Sequence, residues 1–399
     1  MKKVLIVSQA MELGGAERAL LGLLESIDTN TYDVDLFLMR HTGELMDQIP
    51  DNIHLLPEVK AYAALAVPMK TVLKRGQISV LLGRLYAKMK ARQRVKQLGI
   101  QGDNAVELEC SHKYTAWAMP TISDKQYDLV ISFLTPHYFA AQKTTAKQKI
   151  AWIHTDYSTV QVDVESELAM WSEFDWIASI SDDVTSSFLK VFPTLKDKIV
   201  LMENIMPTRH IQALTRQGSV EQEMSEEGGI KLLSIGRFCT AKNFDNVPEI
   251  CKKIREQGLN ITWYLIGYGG DEALIRKKIR EYGMEDHVIV LGKKSNPYPY
   301  LKACDVYVQP SRYEGKCVAV REAQMLGKPV IITNYATSAS QLEDGVDGVI
   351  VPMDNKDCAQ GIVDVLRNPE LLECLSKNCK NRDYSNSQEV EKLYLLMEG

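Results

Sequence analysis

The sequence predicts an α/β protein built from two doubly wound parallel units in succession, and three observations carry that prediction. Short apolar runs of strand length alternate with helical patterns along the whole chain, as they do where strands are joined by helices in a parallel sheet. Two such runs, 3–8 and 262–266, lead through glycine turns (Gly14-Gly15 and Gly267 to Gly270) into helices. A polar, acidic, glycine-containing stretch at 216–229 divides 399 residues into halves of ordinary domain size. The expected domains are 1–205, with a basic insertion at about 60–100, and 228–385. A last segment, 386–399, is expected to return as a helix onto the first domain.

Composition narrows the classes. Charged residues at 25% and hydrophobic ones at 45% are globular averages, and a net charge of -5 argues against bulk nucleic-acid binding. The eight cysteines, at 110, 239, 251, 304, 317, 358, 374 and 379, form no CxxC or Cys/His ligand spacing. They read as reduced thiols of a cytosolic protein, not as a disulfide framework or zinc site. The opening MKKVLIVSQAM is apolar for only about five residues before Glu12, so it reads as a buried strand and not as a signal peptide. No stretch approaches the roughly 18 apolar residues of a membrane span. A soluble or peripheral protein is expected.

In the amino half, the strand at 3–8 and the glycine pair Gly14-Gly15 open a helix to about 27. The glycines serve either a ligand that approaches the backbone or a tight turn with positive φ; they are not the G-x-G-x-x-G of a nicotinamide site. The strand at 32–40 contains Asp33-Val34-Asp35, a D-x-D spelling read as incidental. Residues 60–100 hold ten Lys and Arg and no Asp or Glu, with apolar residues at helical spacing. That pattern favours amphipathic helices on an anionic membrane surface over a solvated basic helix or a nucleic-acid patch. After strands at 128–133 and 149–153, His154 stands at a strand's carboxyl end, the edge where ligands bind in open α/β sheets, with Asp156 behind it. A strand at 176–181 runs into Ser181-Asp182-Asp183, a helix cap with an acidic first turn.

In the carboxyl half, the strand 230–235 ends in Gly236-Arg237, and Lys242 follows five residues later. Two cations beside a small residue at a strand end can clamp a diphosphate. A strand at 287–291 leads to Gly292 and Lys293. The stretch 311–330 reads strand, loop, helix, strand, with the helix at 321–326. The peptide N–H groups of Lys316, Cys317 and Val318, at the helix entrance, are candidate phosphate donors. Glu314 before them and Glu322 beyond them suit sugar or ribose hydroxyls, because a carboxylate next to an anion site otherwise lacks partners.

The order of these motifs resembles the retaining glycosyltransferases of the GT-B fold, specifically glycosyltransferase family 4 (glycosyl transferases group 1). Glu314 to Glu322 matches that family's E-x7-E motif, Gly236 to Lys242 its diphosphate-binding pair, and Gly345-Val346-Asp347-Gly348 its D-G-x-x-G segment. The resemblance covers 230–352 and short pieces of the amino half. It implies two Rossmann-like domains facing a cleft, Arg237 and Lys242 on the donor diphosphate, Glu322 on the ribose and Glu314 at the transferred sugar. It also implies His154 near the reacting carbon, Gly14 and Gly15 facing donor diphosphate or acceptor, and Gly292 and Lys293 flanking the base. The expected activity is metal-independent transfer, with retention, of a hexose or N-acetylhexosamine from a nucleotide-sugar to a glycan or lipid-linked acceptor. The expected place is the inner face of the cell membrane, in cell-surface polysaccharide synthesis, with no nucleic acid as partner. Many relatives have Gly-Phe-Gly after the first Glu, whereas this chain has Gly315-Lys316-Cys317. UDP-sugars are the first expectation for the donor and GDP-mannose the second. A UDP-sugar 2-epimerase and a non-catalytic scaffold of the same fold are the alternatives.

Overall fold

The computed structural model describes residues 1–100, 104–135, 137–224 and 229–398, without the side chains of 209 and 210. It divides into Met1–Ile205 with Ser387–Gly399, and Met206–Asn386. The domain start expected at 228 and the chain's last residue, 399, lie outside the described residues.

The first unit is a parallel sheet of β1 (Lys2–Ser8), β2 (Tyr32–Leu38), β3 (His54–Leu55), β4 (Gln126–Ser132), β5 (Thr145–Ile153), β6 (Trp176–Ser179) and β7 (Ile199–Leu201), in the order β3-β2-β1-β4-β5-β6-β7. Its inner strands are continuous apolar runs because both faces are covered; Val4, Leu5, Ile6 and Val7 are all buried. The order reverses between β1 and β4, which opens a crevice at the strands' carboxyl ends. Strand β3, which the sequence does not announce, is two residues long, too short for any period to show. Asp35 of the D-x-D spelling is buried in β2 and accepts from Lys125 Nζ at 2.8 Å, Tyr127 Oη at 2.6 Å and His54 Nδ1 at 2.5 Å. Burial pushes its carboxyl up, but the bonds from Lys125, Tyr127 and His54 outweigh that and hold it below the usual range. The last helix, Val390–Leu396, belongs to this unit. Tyr394 stacks on Tyr32 with centroids 4.4 Å apart, and its hydroxyl accepts from the Asp28 N–H at 2.9 Å.

The basic segment forms helices Lys60–Ala63, Met69–Lys74 and Ile78–Leu98. The long one inverts the usual amphipathic arrangement. Its buried positions are the small residues Val80, Gly83, Ala87 and Ala91, and a Cβ at Gly83 would meet Thr115 Cγ2 of helix Val106–Thr115 at 3.3 Å. Its large apolar side chains point outward: Ile78 is 60% exposed, Leu82 55%, Leu85 50% and Met89 55%. Two of the cations serve the fold. Arg84 donates to the carbonyls of Ala64 and Val67 at 2.7 and 2.6 Å, and Arg94 grips Asp163 with two bonds of 2.5 and 2.7 Å.

The second unit carries β8 (Ile230–Ile235), β9 (Ile261–Ile266), β10 (Val288–Gly292), β11 (Val306–Gln309), β12 (Val330–Thr333) and β13 (Val349–Val351), parallel in the order β10-β9-β8-β11-β12-β13. The reversal here falls between β8 and β11, so the loops after those two strands lie side by side. Gly267 and Gly269 have φ of 157° and 155°, and a Cβ on them would lie 1.9 Å from the Gly236 carbonyl oxygen and 2.3 Å from that of Phe238. The second glycine turn thus braces the Arg237 loop from below. The helix expected at 321–326 spans Val318–Met325: the turn starts at Cys317, whose carbonyl accepts from the N–H groups of Val320 and Arg321.

Candidate active site

The site grows from the β8 and β11 loops. Leaving β8, the chain passes Gly236, over which the aliphatic stem of Lys242 lies; a Cβ there would meet Lys242 Cε at 3.0 Å. Lys242 ends a short 3-10 turn, Thr240–Lys242, and Asn243 after it is left-handed with φ 59°. From β11, residues 311–317 come alongside. Arg312 clamps Asp245 with bonds of 2.9 and 3.0 Å and donates its N–H to Ala241 at 2.8 Å, fastening one loop to the other. Lys242 Nζ then reaches Glu314 Oε1 at 2.5 Å, across 72 residues of sequence. Ser311 Oγ donates to the same oxygen at 2.6 Å, and Thr337 Oγ1 holds the Glu314 carbonyl at 2.9 Å.

This pair is mostly buried, the side chains being 18% and 10% exposed. Burial alone would lower the Lys242 ammonium; the Glu314 carboxylate beside it opposes that and holds the group charged, with the Cys317 sulfur 3.8 Å away. Burial pushes the Cys317 thiol up to about 11, so it stays protonated at neutral pH and Glu314 carries the balancing charge. Arg237 is exposed at the end of β8. The site thus offers a fixed cation, an exposed cation and a carboxylate at the switch point of one sheet.

Other expected residues fall differently. The Cys317 N–H, expected to donate to phosphate, instead donates to Gln341 Oε1 at 2.7 Å, because helix Ser338–Gln341 packs its last side chain on the entrance of helix Val318–Met325. Val318 opens that helix and Lys316 is half-buried in the loop before it. Glu322 is fully buried and accepts from Tyr298 Oη at 2.8 Å, so its carboxylate is out of reach of solvent. Gly292 is left-handed with φ 73°, and Lys293 beyond it sits over the Tyr268 ring at 4.8 Å. Asp347 of the glycine turn is structural, accepting from Arg382 Nη1 and Tyr384 Oη at 3.0 Å each. Ser311, Gln341 and Tyr298 went unnoticed in the sequence. Ser311 had a signal in its spacing of three from Glu314; the other two had none.

In the first unit, Gly14 has φ -145°, and neither it nor Gly15 is among the positive-φ glycines, so the tight-turn alternative is wrong. What Gly14 supplies is room: a Cβ there would lie 2.0 Å from Glu17 Oε2, whose carboxylate folds over the helix start. His154 follows β5; burial lowers its imidazole to about 4, so it is neutral at pH 7, and it bonds the Phe133 backbone. Asp156 accepts from the Ser158 N–H at 2.9 Å, a local turn. Among the described residues no group of His, Cys, Asp or Glu could hold a metal ion.

Glu167 of helix Val164–Ser172 is buried, and burial raises its carboxyl to about 7, against an ordinary 4.5. The folded protein therefore holds a proton that the unfolded chain releases. Its contribution to stability is complete below pH 4.5 and is lost as pH rises toward 7. Glu167→Gln removes that dependence. The variant is expected to melt like wild type near pH 4 and to be more stable by up to about 3 kcal/mol at pH 8, read from thermal melts at the two pH values.

Comparison with known proteins places the chain. Residues 216–382 match the family model of glycosyl transferases group 1. The UDP-Gal:alpha-D-GlcNAc-diphosphoundecaprenol alpha-1,3-galactosyltransferase of Escherichia coli is 23% identical over 382 residues, 93% of this chain and 89% of that one. An N-acetylgalactosamine-N,N'-diacetylbacillosaminyl-diphospho-undecaprenol 4-alpha-N-acetylgalactosaminyltransferase of Campylobacter jejuni is 24% identical over 41% of this chain and 46% of its own. Anabaena Alr3699/HepE, solved with UDP and glucose, superposes with a TM-score of 0.70 at 14% identity, covering both chains fully. The fold is GT-B, with parallel sheets of seven and six strands. The group 1 match lies within the second unit, and the fold of the whole chain is that of the GT-B glycosyltransferases.

Proposed function

We propose that the protein is a retaining, family 4 glycosyltransferase that moves a hexose or N-acetylhexosamine from a UDP-sugar to a lipid-linked acceptor in polysaccharide synthesis. The observation that carries this reading is the cluster of Arg237, Lys242, Glu314 and Ser311 at the β8/β11 switch point. Breaking the bond from anomeric carbon to phosphate builds negative charge on the leaving diphosphate. Lys242 and Arg237, with the first N–H groups of helix Val318–Met325, supply fixed positive charge there, so no metal is called for. Glu314, oriented by Lys242 and Ser311, opposes the positive charge that grows on the sugar. A ribose on Glu322 has to share or displace the Tyr298 hydroxyl. The UDP-sugar and lipid-linked acceptor are supported by the names of the Escherichia coli and Campylobacter relatives and by the UDP in the Anabaena structure. The test is incubation with UDP-glucose, UDP-galactose, their N-acetylamino forms and GDP-mannose, with and without lipid extract. UDP release that rises with lipid is the expected result; GDP release, or none from any donor, refutes the reading.

The outward apolar face of helix Ile78–Leu98, with cations and no carboxylate in 60–100, fits a peripheral place on an anionic membrane. Trp117, 63% exposed beside that helix, has the character of an interfacial anchor. The protein is expected to float with vesicles rich in phosphatidylglycerol and not with phosphatidylcholine alone. Leu82→Glu with Met89→Glu, both at exposed positions, is expected to abolish flotation without changing the melting temperature. Equal binding to both lipids would contradict the electrostatic part of this account.

A further inference from the structure

Beneath Glu314, three polar side chains line one face of β11 and the turn that follows it. Tyr307 and Gln309 are two residues apart on the strand and Ser311 lies two further, just past its end, so the pleat sends all three to one side. All are fully buried. Val306 and Val308, which alternate with them, face the other side and join an apolar cluster. Tyr307 Oη meets Gln309 Oε1 at 2.5 Å, Gln309 Nε2 meets Ser311 Oγ at 2.8 Å, and Ser311 Oγ meets Glu314 Oε1 at 2.6 Å. Thr333 Oγ1 of β12 donates to the Ser311 carbonyl at 2.5 Å and fixes the backbone there.

This series of bonds has a direction. Burial raises the Tyr307 phenol well above its usual range, so it keeps its proton and gives it to Gln309. The Ile235 carbonyl is a second acceptor for that proton, but at 3.4 Å the shorter bond to Gln309 wins. With Oε1 of the amide taken, Nε2 faces Ser311 and donates to its oxygen. A serine hydroxyl has one proton, and Ser311 then spends it on Glu314. Turned over, the amide would offer Ser311 an oxygen and compete with Glu314 for that proton. Donors aligned in series also strengthen one another.

Apolar side chains at 307 and 309 would fill the same interior without burying a phenol and an amide. The bonds these two make lead to Glu314. There Lys242 Nζ and Ser311 Oγ both bind Oε1, and Oε2 takes no bond among the described residues. We propose that Tyr307 and Gln309 are positioning residues for Glu314, which hold Ser311 as a donor to Oε1 and so leave Oε2 to face the substrate. The role rests on the transferase reading, in which Glu314 acts on the transferred sugar; the order of the bonds does not.

The test measures single-turnover transfer by the full chain, with lipid extract and the UDP-sugar of the donor panel from which the wild type releases most UDP. Gln309→Met keeps the volume and breaks the series at its middle, whereas Tyr307→Phe removes only the first hydroxyl. The first is expected to lower the rate of transfer about tenfold and the second about threefold, with the half-saturating donor concentration within about twofold of wild type. Ser311→Ala is expected to lose at least as much as Gln309→Met. On the Ser311→Ala background neither substitution lowers the rate further, because both act through that hydroxyl. A role in packing alone would subtract equally on both backgrounds. Wild-type rates in Gln309→Met and Tyr307→Phe, or losses that persist undiminished in Ser311→Ala, overturn the proposal and leave the transferase reading standing. No transfer by the wild type from any UDP-sugar overturns that reading and the role with it. Should Gln309→Met fail to fold, Tyr307→Phe on the two backgrounds decides.

Discussion

Arg237→Ala is expected to lower kcat/KM for sugar transfer by on the order of 10²–10³-fold while the protein folds as before. The side chain is exposed at the end of β8 and belongs to none of the buried apolar clusters, so its loss leaves no cavity. Its proposed role is confined to the charge that grows on the diphosphate as the sugar departs. The effect should therefore fall more on kcat than on KM for the donor. UDP release under single-turnover conditions, alongside a thermal melt, checks both halves. Wild-type turnover in this variant removes Arg237 from the mechanism. Glu314 is expected to be as sensitive, but Glu314→Ala strips the balancing charge from a buried ammonium. Glu314→Gln is the cleaner variant, since it keeps the shape and an acceptor for Ser311.

The second large effect is on stability. Lys242 and Glu314 are 18% and 10% exposed and meet at 2.5 Å. Lys242→Met leaves the carboxylate buried without its cation and is expected to cost the second unit about 3 kcal/mol or more. Adding Glu314→Gln removes the orphaned charge, so the double variant is expected to recover most of that loss. Neither variant transfers sugar. A double-mutant cycle by chemical denaturation, with activity measured on the same samples, separates the two roles. A double variant no more stable than Lys242→Met alone would show that Lys242 supports the fold through some other contact.

These expectations set catalysis and folding on the same few atoms, and most of those atoms could be named from the sequence. Glu314, Arg237 and Lys242 sit in local patterns that imply their chemistry, a carboxylate in a strand-to-helix loop and two cations after a strand. Continuous apolar runs such as Val4 to Val7 are long enough to announce buried parallel strands. Strand β3, with two residues, carries no such signal.

Contacts between distant segments were another matter. That Gln341 would take the Cys317 N–H, or Tyr298 the Glu322 carboxylate, depends on partners 24 residues away in each case. No period or spacing reports such a pairing. The same holds for the basic segment, where spacing placed helices but not which side of Ile78–Leu98 faces in. Packing against Thr115 chose the small residues for the interior and left the large ones outside. Sequence by itself determined the α/β class and the two-unit plan, because each follows from order along the chain. Only tertiary structure decided which peptide groups are already spent, because hydrogen bonds are filled by whatever the fold brings within 3 Å.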